Sequence, residues 1–366
     1  MAFKPISADS HVTEPPNLYL DFIDPKFRDR APHVINDPNR GEIYVIDGMS
    51  APIPMSLVAA AGKDPKDLST RGAKFEELHR GGWDPKYRGA DQDVDGVGAE
   101  IIYPSVGMVI CNHQDMAYKK ACFDAYNRWL QGFCGGLPDR LYGMAQVVIN
   151  SPDEGIEEVR KAKEMGFRGV MLPGEPGYED YHHPDYDAFY EAVVDMNMPI
   201  CFHILTSKRD NMRTYRGPKI NSFLSIIRGN QDIIGTFIFG GVFQRHPKLK
   251  LICVEADAGW AVHYKYRMDH AFLRHRFWLT CEDLEKMPSE YFDENVYMTF
   301  QDDWSAFKLR EHLNINRLMW ANDFPHSDAT WPHSKELLAQ HTADMTDWER
   351  SRVLHDNVAE LYGLTV

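Results

Sequence analysis

The chain has 366 residues, with 40 Lys plus Arg against 54 Asp plus Glu, a formal charge of −14. That acidic balance argues against a nucleic-acid partner, whose phosphates would be repelled. Apolar residues make up 43% and charged residues 26%, the mixture of a globular chain with a sizeable core and not of a disordered one. Met1 to Ser10 has no secretory apolar run, and nowhere do about 18 uncharged apolar residues stand together. The expectation is a soluble cytoplasmic protein with no membrane partner. Its six cysteines show no C-x-x-C spacing and are expected to be reduced.

In chain order, the first short apolar run is Pro5 to Asp9. Pro15 to Ala90 follows, where Pro25, Pro32, Pro38, Pro52, Pro54, Pro65 and Pro85 interrupt any long element and Gly41 to Gly48 predicts a small hairpin. Ala99 to Tyr103 is the second strand, and Tyr118 to Gly135 carries apolar residues at helical spacing. Leu141 to Ile149 is the third strand. Ser151-Pro152-Asp153-Glu154 starts a helix that runs to about Met165 and stops at Gly166. Five further runs complete the pattern: Phe167 to Leu172, Pro199 to His203, Lys250 to Glu255, Asn295 to Phe300 and Arg317 to Trp320. Strands alternating with helices imply parallel βα units, and eight of them suggest an α/β chain folded as a (β/α)8 TIM barrel. The whole chain, 1–366, reads as one barrel domain, with 15–90 as an insertion after the first strand. A loop after a barrel strand lies on the catalytic face, so this insertion is expected to cover substrate.

Metal-competent side chains gather at strand ends. Asp9 and His11 close the first strand, with Glu14 three residues beyond; His203 ends the fifth, Glu255 the sixth, and Asp323 follows the eighth. Taken singly, each is a hydrogen-bonded core residue, a turn cap or a solvated acid. Together they would bury several carboxylates at one place, which is prohibitive without a cation. A Walker A run, a G-x-S-x-G elbow and an H-E-x-x-H helix are all missing from the sequence. Gly240-Gly241 reads as close helix packing, and His182-His183-Pro184 as a turn before a helix.

Several segments carry a resemblance: Ala8-Asp9-Ser10-His11-Val12-Thr13-Glu14-Pro15, Pro138-Asp139-Arg140-Leu141, Gly166-Phe167-Arg168-Gly169-Val170 and Trp320-Ala321-Asn322-Asp323-Phe324-Pro325-His326. The sequence resembles the amidohydrolase superfamily nearly end to end, in the amidohydrolase-related branch that includes aminocarboxymuconate semialdehyde decarboxylase and the resorcylate decarboxylases. The resemblance implies a metal-dependent TIM barrel. It places Asp9 and His11 at the first-strand ligand positions, His203 at the fifth-strand histidine, Glu255 at the sixth-strand position and Asp323 at the eighth-strand aspartate. Two positions depart from the family pattern, Asp9 replacing the first His of His-x-His and Glu255 replacing a common His. With Glu14 counted, two imidazoles and four carboxylates make an oxygen-rich shell that suits manganese or iron better than zinc.

Three functions are open at this point. In the first, a divalent ion, Zn or Mn, serves a hydrolase or decarboxylase acting on a small, often aromatic carboxylate. His203 and Asp323 are then the catalytic pair, with Asp323 as the acid or base, and Arg209, Arg213 or His326 binds the far end of the substrate. In the second, Fe/Fe or Mn/Fe serves a dinuclear oxygenase, and Trp260, Phe300, Phe324 and Trp331 either wall the site or belong to the core. The third is a non-catalytic subunit that keeps the fold. A homo- or hetero-oligomer is compatible with each reading.

Overall fold

A computed structural model of the chain describes residues 3–207 and 217–365. The barrel strands are β1 (Ile6–His11), β2 (Ala99–Tyr103), β3 (Leu141–Gly143, resumed as Ala145–Gln146), β4 (Val170–Met171), β5 (Ile200–His203), β6 (Leu251–Val254), β7 (Val296–Phe300) and β8 (Leu318–Trp320). All neighbours are parallel: Ile6 pairs with Ala99, Glu100 with Leu141, Val170 with Ile200, Leu251 with both Ile200 and Val296, and Met298 with Leu318. β3 changes partner at Met144. Its N–H donates to Ile102 O of β2 (2.9 Å), whereas Ala145 N–H donates to Gly169 O beside β4 (3.2 Å). The ring closes where Asp323 N–H donates to Asp9 O (3.1 Å) and His11 N–H to Phe324 O (2.7 Å). The eight predicted strands are therefore all present, and the fold is the expected TIM barrel.

Every residue of these strands is buried, and apart from β1, whose Ser7, Asp9, Ser10 and His11 are polar, they read as nearly continuous apolar runs and not as alternations. The predicted fourth strand, Phe167 to Leu172, shortens to two residues. Local chemistry sets the helix ends as expected. Ser151 Oγ accepts from Glu154 N–H at the start of Pro152–Glu164, and Gly166 takes φ +92° just past its end. The helix predicted from Tyr118 starts earlier, at Met116, because the Asp115 side chain caps Tyr118 N–H.

The inserted region differs from expectation in two ways. Gly41–Val45 is only the second arm of its hairpin. It pairs antiparallel with His33–Asp37 across a turn in which Asp37 Oδ1 accepts from the N–H groups of Asn39 and Arg40, and Ile53–Pro54 adds a third strand. Pro85, taken from sequence as a breaker, instead opens the helix Pro85–Asp95. The Asp84 side chain caps it, and proline is tolerated in a first turn whose N–H has no helical partner.

The insertion docks on the strand ends through Thr13 N–H to Gly82 O (2.9 Å) and Ala61 N–H to Pro325 O (3.0 Å). Among the described residues no disulfide joins the cysteines, and no helix is long and apolar enough to cross a membrane.

Candidate metal centre

Asp9 and His11, two apart on β1, point to one side of the strand. His203 ends β5, Glu255 follows β6, and Asp323 stands three residues past β8. Parallel strands bring these carboxyl ends together. His11 Nε2 lies 3.3 Å from each of Asp9 Oδ1, Glu255 Oε2 and Asp323 Oδ1, and His203 Nε2 lies 3.2 Å from Glu255 Oε2 and 3.5 Å from Asp9 Oδ1. The side chains of Asp9, His11, His203 and Asp323 are wholly inaccessible, and that of Glu255 is 13% exposed.

Both oxygens of Asp9 and of Asp323, Glu255 Oε2 and the Nε2 atoms of His11 and His203 are buried with no hydrogen-bond partner. Native interiors satisfy nearly all such groups, so this concentration calls for a missing partner. The histidines identify it. His11 Nδ1 lies 2.9 Å from Pro104 O and His203 Nδ1 3.1 Å from Ile204 O. A carbonyl only accepts, so each Nδ1 carries the hydrogen, and a ring left neutral turns an Nε2 lone pair toward carboxylate oxygens. Lone pairs facing anions repel unless a cation stands between them. With no ion, burial opposes a charge on His11, yet Asp9, Glu255 and Asp323 together hold the imidazole well above its ordinary range, and a proton takes the cation's place. Two nitrogen and two carboxylate donors, from His11, His203, Asp9 and Glu255, lie within 4.8 Å of one another and fit a divalent ion.

Beside this group lies His326, stacked on His11 at 3.8 Å between ring centroids, with Nδ1 3.1 Å from Asp323 Oδ1. Ser105 Oγ donates to Val12 O (2.6 Å) and so accepts from His326 Nε2–H (2.8 Å). His326 Nδ1 is then a lone pair facing the Asp323 carboxyl. Burial and the Asp9 charge raise Asp323 well above the carboxylate range despite His11, while burial and His11 hold His326 well below its ordinary value. Asp9 moves the other way, because the His203 and His11 imidazoles outweigh its burial and hold it below the usual range.

The backbone is strained at the two carboxylates that follow strands. Glu255 has φ 56° and Asp323 φ 54°, left-handed conformations that cost a non-glycine residue about 1–3 kcal/mol each. Glu255 N–H donating to Thr299 Oγ1 (2.9 Å) and the Asp323 N–H to Asp9 O bond hold them there. Beyond Glu255 the exposed acids Asp257, Asp302 and Asp328 act on one another. Partial burial, with Asp303 and Asp302, pushes Asp257 up to about 7, and partial burial, with Glu255 and Asp302, pushes Asp328 to about 6.

Of the residues expected at the site, Asp9, His11, His203, Glu255 and Asp323 converge, and His326, expected only at a substrate's far end, stands among them. Glu14 does not join them. Its Oε1 accepts from the N–H groups of Ser105 and Gly107 (both 3.1 Å), which turns it to the loop after β2. Trp260 commits its Nε1–H to Ala256 O (2.6 Å) and packs on Tyr264. Arg209 and Arg213 lie outside the described residues. Phe300 packs on Phe307, and Phe324 on Trp331 and His79, as core. His183 caps the turn Pro184–Tyr186 as the sequence suggested, whereas Gly240, expected in helix packing, ends the helix Arg228–Phe239 against a turn, where a Cβ would stand 2.2 Å from the His182 Cβ. Sequence reasoning missed Ser105, whose only signal was its place two residues past β2, and Arg88, hidden in a segment read as loop.

A family model described as Amidohydrolase matches residues 112–364. Gamma-resorcylate decarboxylase of Rhodococcus jostii (strain RHA1) is 23% identical over 251 residues, which cover 63% of this chain and 73% of that protein. Among solved structures, an amidohydrolase from Mycobacterium avium subsp. paratuberculosis superposes with a TM-score of 0.82 at 19% identity, covering 99% of this chain and 100% of that one. A 5-carboxyvanillate decarboxylase from Novosphingobium aromaticivorans, solved with manganese and 4-hydroxy-3-methoxy-5-nitrobenzoic acid, superposes with a TM-score of 0.70 at 20% identity, covering 99% and 96%.

Proposed function

The chain belongs to the Amidohydrolase family, and on that premise we propose that it is a metal-dependent carboxy-lyase that removes CO2 from a small aromatic carboxylate. The observation that carries this reading is the group of buried, partnerless atoms on Asp9, His11, His203, Glu255 and Asp323. These residues would hold one divalent ion, and their oxygen-rich set favours manganese. When bound, the ion would supply positive charge to hold an anionic substrate at the site. The decarboxylase relatives, one of them solved with manganese, support both the reaction class and the metal.

The chain's own groups then do the following. Asp9 would ligate as a carboxylate, and His11 and His203, anchored through Nδ1, keep their Nε2 lone pairs free as ligands. Asp323 holds a proton that passes to the ring carbon bearing the carboxylate. The C–C bond breaks, its electron pair returns to the ring, and CO2 departs. The proton spent is replaced from solvent, so ArCO2⁻ and H⁺ give ArH and CO2. His326, neutral and tied to Ser105, keeps the Asp323 carboxyl aimed. The 15–90 insertion, docked through Ala61 and Gly82, covers this face within the single barrel domain and limits water.

Incubation of manganese-loaded protein with gamma-resorcylate, 5-carboxyvanillate and related ortho-hydroxy aromatic acids tests the reading by CO2 release. Chelation should abolish turnover and added Mn2+ restore it. Fully loaded protein that leaves every such acid intact would refute the decarboxylase.

The dinuclear oxygenase gains no support from the site: the two four-residue groups, one of Asp9, His11, His203 and Glu255 and the other of His11, Glu255, Asp323 and His326, share His11, whose one free ring lone pair serves a single ion.

A further inference from the structure

Arg88 is fully buried, and its guanidinium reaches four segments at once. Nε donates to Glu100 Oε2 (2.6 Å), Nη1 to His11 O (2.8 Å) and Gly81 O (3.3 Å), and Nη2 to Phe324 O (3.2 Å), with the Phe324 ring 4.6 Å below. His11 belongs to the candidate centre, and Phe324 directly follows Asp323. The same Phe324 carbonyl accepts from His11 N–H, so the guanidinium straddles the seam where β8 closes on β1. Glu100 completes the device. Ser10 Oγ donates to its Oε1 (3.2 Å) and Gln92 Nε2 to its Oε2 (2.7 Å), and Ser10 stands between Asp9 and His11.

We infer that Arg88 is the positioning residue of the metal centre, setting the distance between the β1 segment with Asp9 and His11 and the β8 segment with Asp323. A planar fork with several donors fits this task, since it grips carbonyls on both sides of the seam while a carboxylate fixes its plane. Lysine, a single point charge on a flexible stem, cannot hold the same set. Buried ion pairs contribute little net stability compared with apolar replacements, so positioning and stability can be separated by experiment. The inference rests on the metal part of the proposed function and not on decarboxylation.

The test is Mn2+ affinity of purified protein, measured by EPR of free and bound Mn2+, alongside the melting temperature of each metal-free variant. Arg88→Met with Glu100→Gln removes both charges and keeps one amide oxygen to accept from Ser10 or Gln92. It is expected to stay folded and melt within a few degrees of wild type, to bind Mn2+ at least tenfold more weakly, and to give an altered bound-Mn2+ spectrum. Arg88→Lys keeps the charge and is expected to weaken binding at least threefold. A folded double variant with Mn2+ affinity within twofold of wild type overturns the inference. Should the double variant not fold, Arg88→Lys decides, and affinity within twofold overturns it there too. Wild-type protein that takes up no Mn2+ overturns the metal reading and this inference with it, and shows itself before any variant is made.

Discussion

Replacing Asp323 by asparagine removes the proton-carrying group and exchanges one carboxylate of the metal shell for an amide oxygen. The amide is isosteric, and its NH2 can donate to His326 Nδ1 across the present 3.1 Å, so the ring keeps its orientation and its bond to Ser105. What disappears is the transferable proton. Positioned general acids contribute about 10²- to 10⁴-fold, so kcat should fall by that factor, roughly 3–5 kcal/mol of barrier at about 1.36 kcal/mol per decade. The assay is CO2 release at saturating Mn2+, with elemental analysis to establish equal loading. A kcat within threefold of wild type at equal loading would refute the assignment. The metal-free protein gives a second reading of the same residue. Burial raises the Asp323 pKa well above its unfolded value of about 3.9, so the native state binds the proton more tightly than the unfolded state. Stability is therefore lost as pH climbs from about 4 toward the native value. Asparagine cannot ionise, so metal-free Asp323→Asn should melt above metal-free wild type at pH 8, with the gap closing near pH 4. A lower melting temperature at pH 8 would show that the carboxylate is better accommodated than its surroundings imply.

His203→Ala deletes a nitrogen ligand, and because even outer-shell partners of metal ligands are worth about 10- to 100-fold in affinity, a loss of at least about 100-fold is expected. Metal content after dialysis, with circular dichroism as the control for folding, checks this, and unchanged stoichiometry would remove His203 from the shell. Asp257→Asn and Asp328→Asn relieve the acidic surroundings of Glu255. At pH 9, where both carboxyls are ionised, a unit charge about 8 Å away across water is worth about 0.5 kcal/mol, so each should raise kcat/KM for an anionic aromatic acid about twofold at low salt, and the gain should vanish in 0.5 M NaCl, on the order of a 4 Å screening length. A gain that persists in high salt would point to a steric cause. Gly82→Ala places a Cβ 2.4 Å from Thr13 Oγ1 and 2.8 Å from its Cβ, where the insertion docks on β1. Overpacking of this kind costs about 1–3 kcal/mol, and a urea midpoint equal to wild type would mean that the insertion yields freely.

Runs such as Lys250 to Glu255 and Asn295 to Phe300 were legible as strands because a strand buried on both faces must be apolar throughout, and that needs no knowledge of its neighbours. The Ser151 cap and Gly166 stop were legible for a similar reason, since both act within one helical turn. Asp9, His11, His203, Glu255 and Asp323 could be picked out because barrel topology sends every strand's carboxyl end to one face. The hairpin boundaries and the Pro85 helix were misjudged because proline ends an element or begins one according to whether its missing N–H was needed.

The sequence alone thus determined the barrel, its order of strands and the residue types that could ligate a metal, because these follow from periodicity and from a topology shared by all such folds. Only the tertiary structure decided which of them meet. Glu14 is drawn aside by the amides of Ser105 and Gly107, 91 and 93 residues along the chain, while His326 is brought in by stacking on His11 and by Ser105. Left-handed turns at Glu255 and Asp323 and the grip of Arg88 on both His11 and Phe324 set the final spacing. These are contacts between distant segments, and their geometry exists only once the ring has closed.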